Sequence, residues 1–537
     1  MSQRIASIYL RTCEMILELF KSDSFGYTMI IISLIVSRIM LTSELVAFAA
    51  VWGFMYFFLN VYWAMNYWKV RGVKHFKPWP IIGNMARVLK LEHHLAYYYD
   101  EVYNAFPGEK MVGMYEFMTP SLVLRDIELI EQVLIKDFST YPDHGPFLME
   151  PKSILFESVF AMSGIRWRAI RNRLLTTFTS GKMKAIFPQM LVPCKLFIKS
   201  KPKCLNVDMI NELSVKIFMT AMFGTDILPS GEEELMINCK RIFEPKATRI
   251  LQMIFLTYFP KLSTFLNMKF MPKDLDDYFR SLMNTILDQR ENVDFERNDY
   301  TKVLVEMRKQ EKMNIYNRKN DRVSQTFDMT NEIALAQAFM FFFAGLDTVS
   351  LLILHLAFEF SRSKYCQDKA RQEVRSILKK FDGYSWEAVR EMKYLEQCIL
   401  ETLRLHPSLQ FLVRITDKDT QLGGVKIKKD TRIVIPIHSV HMDPKNFADP
   451  NKFDPDRFNV ENQPNKFAHL PFSDGPRVCL GKRFAIMETA TLFAHILDHY
   501  ELSLSPQTTL PLQYEPKTLF HTPKIQTSIH VTLNEIP

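Results

Sequence analysis

The sequence predicts a mainly α-helical protein with small β-sheets, carried behind an amino-terminal membrane anchor. Three observations predict it. One long apolar run lies near the amino terminus, segments with helical hydrophobic period dominate from about Met85 onward, and strand-like stretches are short, at Met114–Leu124, Val425–His438 and Ile525–Leu533. At 537 residues and 47% hydrophobic content the chain can bury a large core, and length alone suggests about three domains. Its seven cysteines, Cys13, Cys194, Cys204, Cys239, Cys366, Cys398 and Cys479, are odd in number and form no C-x-x-C pair. That disfavours a disulfide scaffold or a zinc cage and fits a reducing compartment. A net charge of +8 is modest for this length and gives no indication of nucleic-acid binding. With no G-x-G-x-x-G or Walker pattern, the chain shows no nucleotide-binding loop of its own.

The anchor is LVAFAAVWGFMYFFLNVYWAM, Leu45 to Met65, long enough to cross a bilayer core, with Asn60 as its one strongly polar residue. Lys69, Arg71, Lys74 and Lys77 follow it, against Glu44 and the more distant Arg38 upstream. The positive-inside rule then places everything after Met65 in the cytosol, with Trp63, Tyr67 and Trp68 suited to the interface. The run is too long and too far from residue 1 for a cleaved signal peptide. An earlier apolar run, Phe25 to Leu41, carries Arg38 and reads either as a second membrane segment or as an extension ahead of a start at Met40. Next, FKPWPIIGN (Phe76 to Asn84) sets two prolines around a tryptophan, which forces extended backbone and makes a stiff connector.

Further on, Ile250 to Phe259 (ILQMIFLTYF) is an apolar island that predicts core, with a second membrane contact as the alternative. Asp288 to Thr326 is charged and polar, with little periodicity after Glu311, and predicts a surface connection. Ile333 to Phe358 is almost wholly apolar, but Gln337, Asp347 and His355 argue against a bilayer, where a mid-span acid is expensive. A helix apolar on every side also suits the core of a large domain, and that is the expectation.

Inside that helix, FFFAGLDTVS (Phe341 to Ser350) removes bulk at Ala344 and Gly345, the glycine costing the helix roughly 1 kcal/mol against alanine. Asp347 and Thr348 add an acid and a hydroxyl to apolar surroundings. The group reads as a hydrogen-bonded kink, or as a notch beside a reactive centre with groups to handle protons. In ETLR, Glu401 and Arg404 share a helix face at i and i+3, and Arg457 of PDRF is a possible third member. In WRAIR, Trp167 and Arg171 at i and i+4 can offer an indole N–H and a guanidinium to one anion, or form a solvated basic face.

Near the end, PFSDGPRVCLGKRF (Pro471 to Phe484) brackets one cysteine between glycines. Its Phe472-x-x-Gly475-x-Arg477-x-Cys479-x-Gly481 spacing fits the haem-thiolate loop at every fixed position. With WRAIR, AGLDTVS, ETLR and PDRF before it in order, the chain resembles a cytochrome P450 from the proline connector to the carboxyl terminus. The anchor, KPWPIIGN and RWRAIRNRLLTTFTSGKMK look most like microsomal members of the drug- and toxin-oxidising branch, insect ones in particular.

The resemblance implies the cytochrome P450 fold, one large haem-binding domain over residues 85–537 behind a connector (67–84) and an extension with its anchor (1–66). It implies haem b with Cys479 as axial thiolate, its ionisation helped by the helix starting near Leu480. Arg477, Trp167, Arg171 and Arg414 match positions that hold the haem propionates; Phe472, Gly475 and Gly481 belong to the loop, the glycines letting backbone approach ring and sulfur. Ala344 and Gly345 would make the dioxygen notch, with Thr348 and Asp347 delivering protons. Glu401, Arg404 and Arg457 would brace the loop from behind. Phe341, Phe342, Phe343, Phe411, Leu412, Leu519 and Phe520 would line an apolar substrate pocket. The implied activity is insertion of one oxygen atom of O₂ into small lipophilic substrates at the endoplasmic reticulum membrane. Electrons would come from NADPH–cytochrome P450 reductase and also from cytochrome b5, with Arg166, Arg168, Arg173, Lys482 and Arg483 as candidate docking residues. Xenobiotic oxidation, dedicated hormone or lipid biosynthesis, and a non-catalytic haem-binding role stand as the three alternatives. Departures from the family pattern are Val349, Ser473 and Asp456.

Overall fold

The computed structural model describes residues 42–92, 94–145, 153–225, 229–292, 297, 299–310, 312–316, 323–524, 526 and 528–536. The apolar run Phe25 to Leu41 lies outside them. The chain divides into two compact units between Tyr67 and Trp68. In the first, helix α1 (Thr42–Met65) contains the apolar run and leaves Phe54, Phe58, Tyr62 and Trp63 half-exposed or more.

The second unit starts with the connector packed into it. Trp68 is fully buried, and its indole N–H donates to the Met114 carbonyl at 2.9 Å. Gly113 is glycine because a Cβ there would overlap the Trp68 ring. Helix α2 (Leu95–Asn104) follows, then strands β1 (Met111–Glu116) and β2 (Thr119–Leu124). The single stretch expected over Met114–Leu124 is therefore a hairpin, reversed at Phe117 with φ +58°. Helices α3 (Gly164–Leu175), α4 (Ser180–Lys199), α5 (Val207–Phe218) and α6 (Ala247–Tyr258) come next, with the short strand β3 (Cys204–Leu205) between α4 and α5. The island at Ile250–Phe259 is core: α6 buries Ile250, Met253, Ile254, Leu256 and Thr257.

The charged stretch from Asp288 is not a bare connection. Helix α7 (Lys273–Asn292) runs into it, and α8 (Tyr300–Arg308) and the hairpin β4 (Lys312–Tyr316) and β5 (Val323–Asp328) follow. In α8, Tyr300, Val303, Leu304 and Met307 are buried at i, i+3, i+4 and i+7, a stripe obscured by the charge on the other face. Asp299 caps it, accepting from Lys302 N at 3.1 Å.

Helix α9 (Asn331–Arg362) is the apolar helix expected in the core, and its most apolar stretch is 78% buried inside the protein. It packs against α5, α7, α8 and α11 (Lys393–Leu405), with α10 (Lys364–Lys380) between α9 and α11 in sequence. The Val425–His438 stretch also divides, because Asp430 turns the chain with φ +63° and Pro436 ends the strand. Strands β6 (Leu412–Ile415), β7 (Thr420–Leu422), β8 (Val425–Ile427) and β9 (Arg432–Ile435) give a sheet ordered β1-β2-β9-β6 and a β7-β8 hairpin. Helix α12 (Lys482–His499) leads into β10 (Tyr500–Leu504), which pairs with β11 (Val531–Glu535), the one strand among the described residues of the expected Ile525–Leu533 region.

Buried polar groups lock the sheet to the helices. Glu116 is fully buried, with Arg432 Nε at 2.6 Å and the hydroxyls of Tyr99, Tyr258 and Ser121 at 2.6, 2.8 and 2.5 Å. Burial pushes its pKa upward, but Arg432 and the three donors override that and hold it below the ordinary value.

Candidate functional site

A cavity of ≈ 320 Å³ opens between α9, α3 and the loop before α12. Cys479 lines it, together with Phe472, Gly481, Trp167, Arg171 and Arg477 and, from α9, Ala344, Gly345 and Thr348. Among the described residues Cys479 is the one cysteine on this cavity. Its amide donates to the Phe472 carbonyl at 2.9 Å, closing the loop on itself. Burial pushes the thiol pKa up, against the downward pull of the Gly481 amide, Arg171 and the first residue of α12. The helix start thus acts in the expected direction but loses to burial.

The two loop glycines serve different ends. Gly475 has φ +78°, and a Cβ there would overlap the Leu134 carbonyl, so it is needed to seat the loop on residues 132–136 and it does not line the cavity. At Gly481 a Cβ would sit 3.9 Å from the Cys479 sulfur. Ser473 carries φ +61°, a left-handed backbone held by a non-glycine residue.

One edge of the cavity is strongly basic. Arg477 donates to the carbonyls of Pro142 and Met162, both at 2.9 Å, pairs with Asp143, and lies 4.1 Å above the Trp167 ring. Burial lowers its pKa to about 10. Arg171 donates to the Val478 carbonyl at 2.5 Å. Arg414 stands one layer back: it is fully buried, absent from the wall, and donates to His144 Nδ1 at 3.0 Å. Burial and then Arg477 pull its pKa to about 9. His144 does line the cavity and stacks on Phe160 at 4.6 Å. Nothing in the Tyr141–Gly145 turn marks it in the sequence. Burial and then the neighbouring arginines hold its pKa well below the ordinary value.

Behind the loop, Arg404 donates to both oxygens of Glu401 at 2.7 and 2.9 Å, with both side chains fully buried. Asp454 N reaches Glu401 at 2.9 Å and Arg457 approaches it at 3.4 Å, while Arg404 also donates to the His441 and Lys452 carbonyls. The three residues expected as a brace are together.

On α9 the four motif residues separate. Thr348 lines the cavity and donates to the Ala344 carbonyl at 2.7 Å; Asp347, one helical step away, does not line it. A Cβ on Gly345 would strike the Phe218 ring at 2.8 Å, so close packing of α5 on α9 already requires glycine there, whatever else the notch does. Of the apolar residues expected in the pocket, Phe341, Phe343, Leu412, Leu519 and Phe520 line it. Phe342 and Phe411 do not: Phe342 packs on Phe218 and Phe279, and Phe411 on Tyr99 at 4.9 Å. Phe341 and Phe343 lie on different sides of the helix, against Phe178 and Phe243 respectively, and each still borders the cavity, whereas Phe342 is taken up by Phe218 and Phe279.

The model of the family described as Cytochrome P450 matches residues 73–529. This chain belongs to the cytochrome P450 family. It is similar to cytochrome P450 6a2 of Drosophila melanogaster, 33% identical over 475 residues that cover 84% of this chain and 92% of that protein. Cytochrome P450 6B1 of Papilio polyxenes is 31% identical over 482 residues, covering 87% and 95%. Cytochrome P450 9e2 of Blattella germanica is 30% identical over 489 residues, covering 85% and 91%. The mainly helical fold with small sheets is the P450 fold, and membership makes the chain an oxygen-incorporating oxidoreductase that binds haem through a cysteine thiolate and takes electrons from a redox partner.

The residues present fit that cofactor. Among the described residues, Arg477 pairs with Asp143, Arg414 lies in the field of the same carboxylate and Arg171 has no ion-pair partner, so that arginines outnumber acids at this edge of the cavity. Trp167 Nε1 and Arg414 Nε are buried with no hydrogen-bond partner among the described residues. Such donors suit the two carboxylates of a haem edge, and the thiol lines the same cavity.

Proposed function

We propose that this P450 oxidises small foreign lipophilic compounds at the endoplasmic reticulum membrane, with Cys479 as the thiolate ligand and electrons from NADPH–cytochrome P450 reductase, assisted by cytochrome b5. The observation that carries the site assignment is Cys479 lining the same cavity as Arg171, Arg477 and Trp167. Arg477, Arg171 and Trp167 would hold the propionates directly and Arg414 through His144. When bound, the haem supplies dioxygen reduction, one oxygen atom entering the substrate and the other leaving as water. The chain's own contribution is orientation, exclusion of water by an aromatic wall, and a hydroxyl on Thr348 to hold a proton beside that wall.

Substrate class follows from lining side chains such as Leu155, Phe178, Phe343, Leu352 and Phe520, which offer apolar contact. Turnover on a panel of unrelated apolar compounds tests breadth: oxidation of one compound alone would point to a dedicated biosynthetic enzyme. The apolar helix α1 supports a membrane anchor. Exposed apolar side chains on the second unit support membrane contact as well: Trp79 and Ile81 in the connector, and Leu262, Leu266 and the 84% exposed Phe265, which Lys261 and Lys269 bracket in sequence. For reductase docking, Arg168 and Lys482 are exposed, whereas Arg166 and Arg173 pair with Glu157 and Glu306 and Arg483 donates to Phe178 O. The spectrum of the reduced protein with carbon monoxide tests the site: a nitrogen-ligated or absent signal defeats it.

Thr348→Ala is expected to retain haem while diverting electrons to hydrogen peroxide; an unchanged product yield per NADPH would remove Thr348 from proton handling. Asp347 has a different signature. It is without a hydrogen-bond or ion-pair partner among the described residues, and burial pushes its pKa from 3.8 to about 7. Between those values the unfolded chain has lost the proton that the folded chain keeps, so stability falls as pH rises and the fall is complete above about 7. Asp347→Asn does not titrate. Its stability relative to the parent should therefore increase between about pH 5 and about pH 8 in denaturant titrations, and a constant difference would show that Asp347 is solvated.

A further inference from the structure

Val159 and Phe160 form part of the cavity wall, yet they belong to an irregular segment with no strand or helix of its own. Such a segment holds its shape only if its backbone groups find partners elsewhere. Two side chains supply them. From the arginine edge, Arg477 donates to the Val159 carbonyl at 3.4 Å and the Met162 carbonyl at 2.9 Å. From α9, Gln337 closes the other side.

Gln337 is fully buried, seven residues before Ala344 and therefore on the same helix face two turns earlier. Its Oε1 accepts from Val159 N at 2.7 Å, and its Nε2 donates to the Glu157 carbonyl at 2.6 Å and to the Ile333 carbonyl at 2.9 Å. Its own backbone carbonyl accepts from the Tyr300 hydroxyl at 3.0 Å, which ties that turn of α9 to α8. The amide is thus spent on the loop, and the side chain itself does not touch the cavity. Phe160, next to the clamped amide, stacks on His144, so the segment is continuous with the basic edge.

We propose that Gln337 is a positioning residue that fixes the 157–162 segment as cavity wall and thereby sets the size of substrate admitted. The inference rests on the cavity being the haem and substrate site. With the clamp intact, Val159 and Phe160 cannot retreat from a bulky ligand without breaking buried hydrogen bonds; with it gone, the wall yields while the haem-holding arginines stay in place.

The test uses the full-length holoprotein and two variants, Gln337→Leu and Gln337→Glu. The glutamate keeps the acceptor for Val159 N–H and the side-chain shape but loses the donor. Each protein is titrated with imidazole and with 4-phenylimidazole, which bind iron through the same nitrogen and differ by one ring, and deuterium exchange is followed in the peptide covering residues 154–162. In Gln337→Leu the ratio of 4-phenylimidazole to imidazole affinity should rise about tenfold, and exchange at Val159 should quicken by at least as much, with haem content unchanged. Gln337→Glu should shift both in the same direction by less, and it alone decides if the leucine variant does not fold. An unchanged affinity ratio, unprotected exchange at Val159 in the parent, or loss of haem from the variants overturns the proposal. Absence of haem from the parent would instead defeat the site assignment, and exchange protection at Val159 would still be measurable there.

Discussion

Cys479→Ser is expected to give a folded protein with no measurable oxygenase turnover and no thiolate signal in the reduced carbon monoxide spectrum. Serine preserves the shape of the loop, because the contacts that close it are made by backbone: Cys479 N to Phe472 O, and Val478 N to Gly475 O. What it removes is an ionisable, electron-rich ligand, since an alcohol does not ionise near neutral pH even beside a metal-free helix start. Cys398→Ser is the control. That cysteine is fully buried away from the cavity, where burial first and then Cys366 and Glu373 push its thiol pKa far up, so its replacement should leave the spectrum intact. A thiolate spectrum surviving in Cys479→Ser would transfer the ligand role elsewhere.

The second large effect is on folding. Glu401→Ala should destabilise the protein by about 3–5 kcal/mol and lower the yield of haem-containing protein, because it leaves the fully buried Arg404 guanidinium without an anion. The pair is not a simple stabiliser: burial raises the Glu401 pKa in spite of the two hydrogen bonds from Arg404, so desolvation outweighs attraction for the acid. It follows that removing both partners should cost less than removing one. A double variant, Glu401→Gln with Arg404→Met, should be more stable in denaturant titrations than Glu401→Ala alone. If the single variant unfolds at the parental denaturant concentration with a full complement of haem, the brace is not structural.

Several site residues were legible in the sequence because their spacing is fixed by local geometry. A cysteine with an arginine two before it and a glycine two after it needs only a loop; a glutamate and an arginine three apart on a helix meet wherever that helix goes. The core helix was legible from its lack of a polar face. The hidden stripe Tyr300, Val303, Leu304 and Met307 was equally local, but the surrounding charge masked it.

By itself, the sequence determined the family motifs, the glycine-bracketed Cys479 as a candidate ligand, the buried helix and the apolar amino-terminal segment, all features that depend on neighbours within a few turns of chain. Only the tertiary structure decided which side chains face the cavity: Phe343 but not Phe342, Thr348 but not Asp347, and His144 in front of Arg414. It also decided why Gly345 and Gly475 are glycines, against Phe218 and Leu134 respectively. The physical reason is the same in each case. Period and spacing specify which residues share a face, whereas the partner that face meets comes from chain tens to hundreds of residues away, and burial by that partner sets the final pKa, packing and role.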